Sequence, residues 1–244
     1  MIRIRAVTLA TAVLAWASVS SASVIYDATL VINGAGLGTV ITTLTMHDTG
    51  QPAPTETGCV AWDGSAVITG TGACDPFGSY ASGFGGDTTS GASQNNAPTF
   101  ADIDVPAPEA LVVVFNPNEP SADSIKLDTL VFKAFRADGT QYFTAALLNP
   151  VLFASTNPGI GNAGFSFVLD PSSIAAWNLL GMLPTDRFGL DAGASLHAGG
   201  SETFFAIRNP NYVPPPPVSE PMSLTLLGVG LIGFSAHRRW RKRA

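Results

Sequence analysis

The sequence predicts an all-β body, a β-sandwich or jelly-roll-like domain with one short helix, followed by a C-terminal transmembrane helix. Three observations carry this prediction. Short runs of β-branched and aromatic residues stand between clusters of turn residues. One stretch, opening at Asp170-Pro171, has a helix start signal. The chain closes with a mostly apolar run over 222–236 and then a cluster of basic residues.

In chain order, residues 28–32 and 39–46 are rich in β-branched side chains. Residues 110–115 form a continuous apolar run, as in a strand buried on both faces. Residues 125–135 alternate, placing Ile125, Leu127, Thr129, Val131, Lys133 and Phe135 on one side. Ala137-Asp138-Gly139-Thr140 is a turn, and residues 141–148 return as the hairpin partner. Phe165, Phe167 and Leu169 alternate again, and residues 188–196 and 203–207 read as a last pair joined through Gly199-Gly200. In the helix, Asp170 caps, Pro171 takes the first helical position, and Ile174, Trp177 and Gly181 share a face. Residues 70–98 read as a long exposed loop within a single domain.

Composition bounds the function. The chain is 46% hydrophobic and only 12% charged, against about 25% charged in ordinary globular chains. Its charge is also unevenly placed. Between residues 23 and 218 the only basic residues are Lys126, Lys133, Arg136, Arg187 and Arg208, against seventeen acidic ones. Such an acidic body repels phosphate backbones, which argues against nucleic acid as a partner.

Both ends read as addresses. Residues 1–22 have the form of a signal peptide: Arg3 and Arg5, an apolar stretch over 6–17, then Ser20-Ser21-Ala22, with cleavage expected between Ala22 and Ser23. Residues 23–210 form the body and residues 211–218 a proline-rich linker that ends in a stiff run, 214–217. Residues 219–244 have three parts: Ser219-Glu220-Pro221, the apolar segment 222–236, and a basic cluster over 237–244 that contains Arg238, Arg239, Arg241, Lys242 and Arg243. As a helix the apolar segment spans roughly 22 Å, short of the roughly 30 Å hydrocarbon core, so it is expected to hold the membrane only transiently. The basic cluster is expected to stay cytoplasmic, leaving residues 23–218 outside.

This order resembles the PEP-CTERM sorting signal of Gram-negative bacteria, with Ser219 in place of the first proline and with Glu220 and Pro221 matching. The resemblance covers about 26 residues of the tail. It implies recognition by exosortase, a membrane enzyme that processes its substrates near this motif, transient anchoring in the inner membrane, and final placement at the cell surface or in an exopolysaccharide-rich biofilm. Within the body, residues 56–62, 114–120, 161–165 and 169–170 are similar to the ectodomains of a set of PEP-CTERM proteins; this supports one domain and transfers no catalytic residue.

The remaining motifs are weak. An exported chain meets an oxidising compartment, so the two cysteines, Cys59 and Cys74, are expected to pair, a bridge contributing roughly 3 kcal/mol in the chain-entropy picture. The G-x-G-x-x-G over 159–164 precedes a strand where a dinucleotide site needs a helix, and the one over 228–233 lies in the apolar tail. Ser195 and His197 would share a strand face without a nucleophile elbow. No zinc spacing links His47, His197 and His237, so no metal site is expected. Calcium is the cofactor left open, at Asp102 and Asp104 or at the oxygen-rich stretch of Asn116, Asn118, Glu119 and Asp123, against the simpler reading of a solvated acidic surface.

The expectation is therefore a non-enzymatic surface or matrix protein with no catalytic residues and no cofactor. The first alternative is a secreted carbohydrate-binding module using aromatics such as Trp62, Tyr80 or Phe84. The second is a secreted hydrolase, which as a glycosidase would need two carboxylates roughly 5 to 10 Å apart in a cleft.

Overall fold

The computed structural model describes residues 22–32, 40–47, 55–70, 86–91, 93–118, 124–154, 164–196 and 200–216. The chain divides into Met1–Pro210 and Asn211–Ala244. Of the second unit only residues 211–216 are described, without helix or strand. Among the described residues no helix is long and apolar enough to cross a membrane, and the predicted transmembrane segment, 222–236, lies outside them.

Among the described residues, the first unit is mostly β with one α-helix. Its strands are β1 (Ser23–Val31), β2 (Thr42–Met46), β3 (Thr55–Trp62), β4 (Val67–Thr69), β5 (Leu111–Asn116), β6 (Ser124–Phe135), β7 (Gln141–Leu147), β8 (Val151–Ala154), β9 (Phe165–Leu169), β10 (Arg187–Ser195) and β11 (Glu202–Arg208); the helix α1 is Pro171–Leu180. All eleven strands join one sheet in the order β2-β11-β5-β9-β1-β7-β6-β10-β3-β4, with β8 paired to β6. Every pairing is antiparallel except β1 with β7, where Ser23 lies opposite Ala146 and Val24 opposite Leu147. That short parallel seam joins what would otherwise be two separate sheets. The sheet curls until β2, at one end, and β3, next to the other, are bridged by residues 87–89. His47 N–H donates to the Asp87 carbonyl (2.8 Å), Asp87 N–H to the Thr57 carbonyl (3.0 Å) and Thr89 N–H to the Thr45 carbonyl (3.0 Å). Gly58 permits this approach of β3 to β2, since a Cβ there would lie 3.0 Å from both Leu44 Cδ1 and Met46 Cβ.

Several expectations hold. The run at 110–115 is β5, and all six of its residues are buried. Phe115 stacks on Phe204 at 4.8 Å on one face, while Val112 and Val114 pack with Leu30 and Phe205 on the other. Asp170 caps α1 by accepting from Ser173 N–H, and Pro171 opens the helix. Trp177 is fully buried, stacked on Phe143 at 4.5 Å and edge-on to Phe100 at 5.3 Å.

Three expectations need correction. The last two long strands do not pair with each other: β10 lies between β6 and β3, and β11 between β5 and β2. The two strands thus lie in different halves of the curled sheet. The alternation over 125–135 does not keep one face. Gly193 lies opposite Thr129 and Ala194 opposite Leu127, so Asp128 is the extra residue of a bulge. Beyond a bulge the faces exchange. Leu127, Leu130, Phe132 and Ala134 therefore pair beside Ala194, Ala192, Leu190 and Phe188 on the core face, and Thr129, Val131 and Lys133 lie on the outer one. Finally, the described end of the 70–98 stretch is not an exposed loop. Asn95 is buried, accepting from Thr45 N–H at 2.9 Å and donating to the Thr89 carbonyl at 2.5 Å.

Candidate functional site

The junction predicted for cleavage lies at the parallel seam. Ala146 N–H donates to the Ala22 carbonyl at 3.1 Å, and Leu148 N–H to the Val24 carbonyl at 3.2 Å. Ser23 is buried and is held by the start of α1. Its N–H donates to Ser173 Oγ at 2.6 Å, its hydroxyl donates to Asp170 Oδ2, and its carbonyl accepts from Asp170 N–H at 3.1 Å. Burial pushes the Asp170 carboxyl up, but the hydrogen bonds from Ser23, Ser173 and Ser172 outweigh it and hold the group well below the usual carboxylate range. One acidic cap thus fixes both the helix and the first residue of β1.

Cys59 is disulfide-bonded, and Cys74, the only other cysteine in the sequence, lies outside the described residues. Ser219, Glu220, Pro221 and the basic residues Arg238, Arg239, Arg241, Lys242 and Arg243 also lie outside them, as do Tyr80, Phe84, His197, Glu119 and Asp123.

Where the candidate oxygen ligands are described, they serve the chain itself. Asp102 Oδ2 accepts from Thr99 N–H at 2.9 Å, and the Thr99 hydrogen bonds lower its carboxyl from the ordinary value. Asp104, at a left-handed φ of 51°, pairs with Arg208 at 2.7 Å. Asn116 is buried and donates from Nδ2 to Thr203 Oγ1 at 3.2 Å. Among the described residues no three His, Cys, Asp or Glu side chains gather as metal ligands would. Two shallow grooves, each of about 220 Å³, flank Asp104. Phe100, Val105, Pro106 and Met182 line one, and Val40, Ile41, Ile103 and Ile207 the other. Their walls are mainly apolar, and the carboxylates at their rims are the engaged Asp102 and Asp104.

Trp62, expected as an exposed stacking platform, is occupied. Arg187 lies over its ring at 3.9 Å, and its Nε1–H donates to the Ala137 carbonyl at 3.0 Å. The reason is the approach of two turns, where Gly64 and Gly139 bring the chain after β3 against the chain after β6.

Two polar clusters were not anticipated. Asp186, almost fully buried, accepts on Oδ2 from Arg136 (2.7 Å), the Tyr142 hydroxyl (2.9 Å) and Leu183 N–H (2.8 Å). Arg136 also donates to the carbonyls of Leu180 and Gly181, at 2.8 Å each, satisfying the end of α1. Its guanidinium sits 3.7 Å over the Tyr142 ring, and Trp177 Nε1–H donates to the Tyr142 hydroxyl at 3.1 Å. Burial, with Asp186 beside it, pushes the Tyr142 hydroxyl well above its usual range against the pull of Trp177. This cluster docks the helix on the sheet. The second cluster is Lys133 with Asp191, Nζ to Oδ2 2.5 Å, at 4% and 0% exposure. Its sequence signal was a lysine at an apolar position of an alternating strand.

No protein-family model matches the chain, and neither a curated protein nor a solved structure matches it.

Proposed function

We propose that this chain is an exported, non-enzymatic cell-surface or extracellular-matrix protein, sorted by exosortase and associated with exopolysaccharide or biofilm. The observation that carries the reading is the order of the C-terminal parts: a proline spacer, Ser219-Glu220-Pro221, the apolar run 222–236, and the cluster from Arg238 to Arg243. The short apolar run serves as a transient inner-membrane helix. The stiff spacer holds the tripeptide clear of the body, within reach of a membrane-embedded enzyme. The body is read as a jelly-roll-like scaffold stapled by a Cys59–Cys74 disulfide.

The chemistry of the body supports a scaffold rather than a reaction centre. Each of its five basic residues is committed to a carboxylate or to a backbone carbonyl and a tryptophan ring. The carboxylates beside its two grooves are bonded within the chain. The test is the C-terminal mass of the surface form in cells with and without exosortase. The expected surface form lacks residues from about Met222 onward only when exosortase is present, and replacing Glu220 and Pro221 together leaves full-length protein in the membrane. An intact Ala244 on extracellular protein from both strains overturns the reading.

A further inference from the structure

Lys133 and Asp191 stand on adjacent antiparallel strands and on the same outer face of the sheet. The register sets Lys133 opposite Gly189 and Asp191 opposite Val131. Gly189 has no side chain to block the way, so the lysine chain runs diagonally to Asp191 and places Nζ 2.5 Å from Oδ2. On the β3 side the surroundings are apolar, and on β7 Thr144 stands opposite Lys133. Cys59 is opposite Asp191 on β3, and Cys59, Ala61 and Phe135 form a buried cluster with Trp62 and Ile68 against it.

The same strand carries a control. Lys126 and Asp128 are also 2.5 Å apart, but they are 39% and 27% exposed. Water stabilises both of those charges, and the pair remains ionic. Lys133 and Asp191, at 4% and 0% exposure, are shielded from bulk water, and burial costs each ion several kcal/mol. Two changes relieve that cost. A proton passing from Nζ to the carboxylate leaves a neutral amine against a neutral acid. Condensation then removes both ionisable groups for good.

We propose that Lys133 and Asp191 form an isopeptide bond that covalently joins β6 to β10. Lys133 transfers one proton to Asp191, and the neutral Nζ attacks Cγ. The N–C bond forms, the tetrahedral carbon expels one oxygen, and that oxygen leaves with two protons as water. The product is a neutral amide; no electrons are exchanged and no co-reactant is consumed. The fold supplies what the reaction needs. It holds the two groups at contact distance, where effective molarities reach about 10⁵ M and more for well-oriented pairs, and it keeps bulk water from the amide once formed. The bond ties residue 133 to residue 191 across the centre of the sheet, independently of how either end of the chain is processed. It would suit a protein that must stay folded outside the cell.

The test uses the full chain exported to the periplasm and kept folded at neutral pH for several days, then unfolded, reduced and digested with trypsin. The expected product is a branched peptide in which residues 127–136, uncleaved after Lys133, are joined to residues 188–208. Its mass is the sum of the two less one water, and its fragment ions place the branch at Lys133 and Asp191. The Lys133→Arg variant, whose guanidinium does not condense, is cleaved after residue 133 and yields 127–133 and 188–208 as separate peptides at full mass. Recovery from the wild-type protein of a free 127–133 peptide and an unmodified 188–208 peptide overturns the proposal and leaves the pair ionic.

Discussion

The two halves of β6 meet different surroundings. Residues 124–128 alternate between buried and partly exposed, pair with β8 over 124–127, and carry the Lys126–Asp128 pair at the surface. Residues 130–135 are buried on both faces, pair with β7 over 131–135, and carry Lys133 against Asp191. The same residue types at the same separation therefore have opposite consequences. At the surface an ion pair is one solvated contact among many. Inside, the proposed amide would remove both charges.

The largest effect is expected where this contrast is broken directly. Lys133→Met leaves Asp191 without its partner and should cost about 3–5 kcal/mol, whereas Lys126→Ala should change stability by about 0.5 kcal/mol or less. Urea unfolding of both variants measures this, and equal costs would erase the distinction between the halves. The Lys133→Met, Asp191→Leu double variant should recover much of the loss, because apolar groups of similar volume suit such a site.

The next effect concerns the turn that ends the buried half. Gly139 has φ 89°, and a Cβ there would lie 2.2 Å from the Asp63 carbonyl carbon. Gly181, after α1, has φ 67° but open space around it. Gly181→Ala should cost about 1 kcal/mol from backbone conformation, and Gly139→Ala about 3 kcal/mol because the two turns must also separate. Thermal unfolding of the two variants decides whether the turn contact matters beyond the dihedral.

The smallest effect sharpens the contrast with a carboxylate that still meets solvent. The Asp170 carboxyl is lowered in the folded protein. The stability it contributes is therefore present above the ordinary carboxylate value, about 4, and lost as pH falls through the folded value. Asp170→Ala should cost about 1 kcal/mol at neutral pH, and the difference from wild type should narrow in acid. A gap between Asp170→Ala and wild type that stays constant as pH falls would count against the cap as its origin.

Much of the fold was legible because its signals are local. Pro171 and Asp170 announce the helix through their own backbone needs, Gly139 announces a turn, and the unbroken apolar run at 110–115 announces burial on both faces. Strand partnership was not legible. Residues 188–196 and 203–207 look like a hairpin, yet they lie in different halves of the sheet, because pairing is chosen by burial among distant strands rather than by the connecting glycines. Asp128 looks like one polar position in an alternating strand, and only its partner β10 makes it a bulge.

By itself the sequence determined an acidic, charge-poor body, its β content and the helix that opens at Pro171, and the order of parts at both ends from which export and sorting are proposed. Those features reside in composition and short-range pattern, which survive without any tertiary contact. Only the folded chain decided that β1 closes the sheet by a parallel seam to β7, that Asp170 and Ser173 grip Ser23, that Trp62 lies under Arg187, and that Lys133 reaches Asp191. Each of these joins residues far apart in sequence. Their meeting depends on which faces bury together, and a one-residue bulge is enough to exchange those faces.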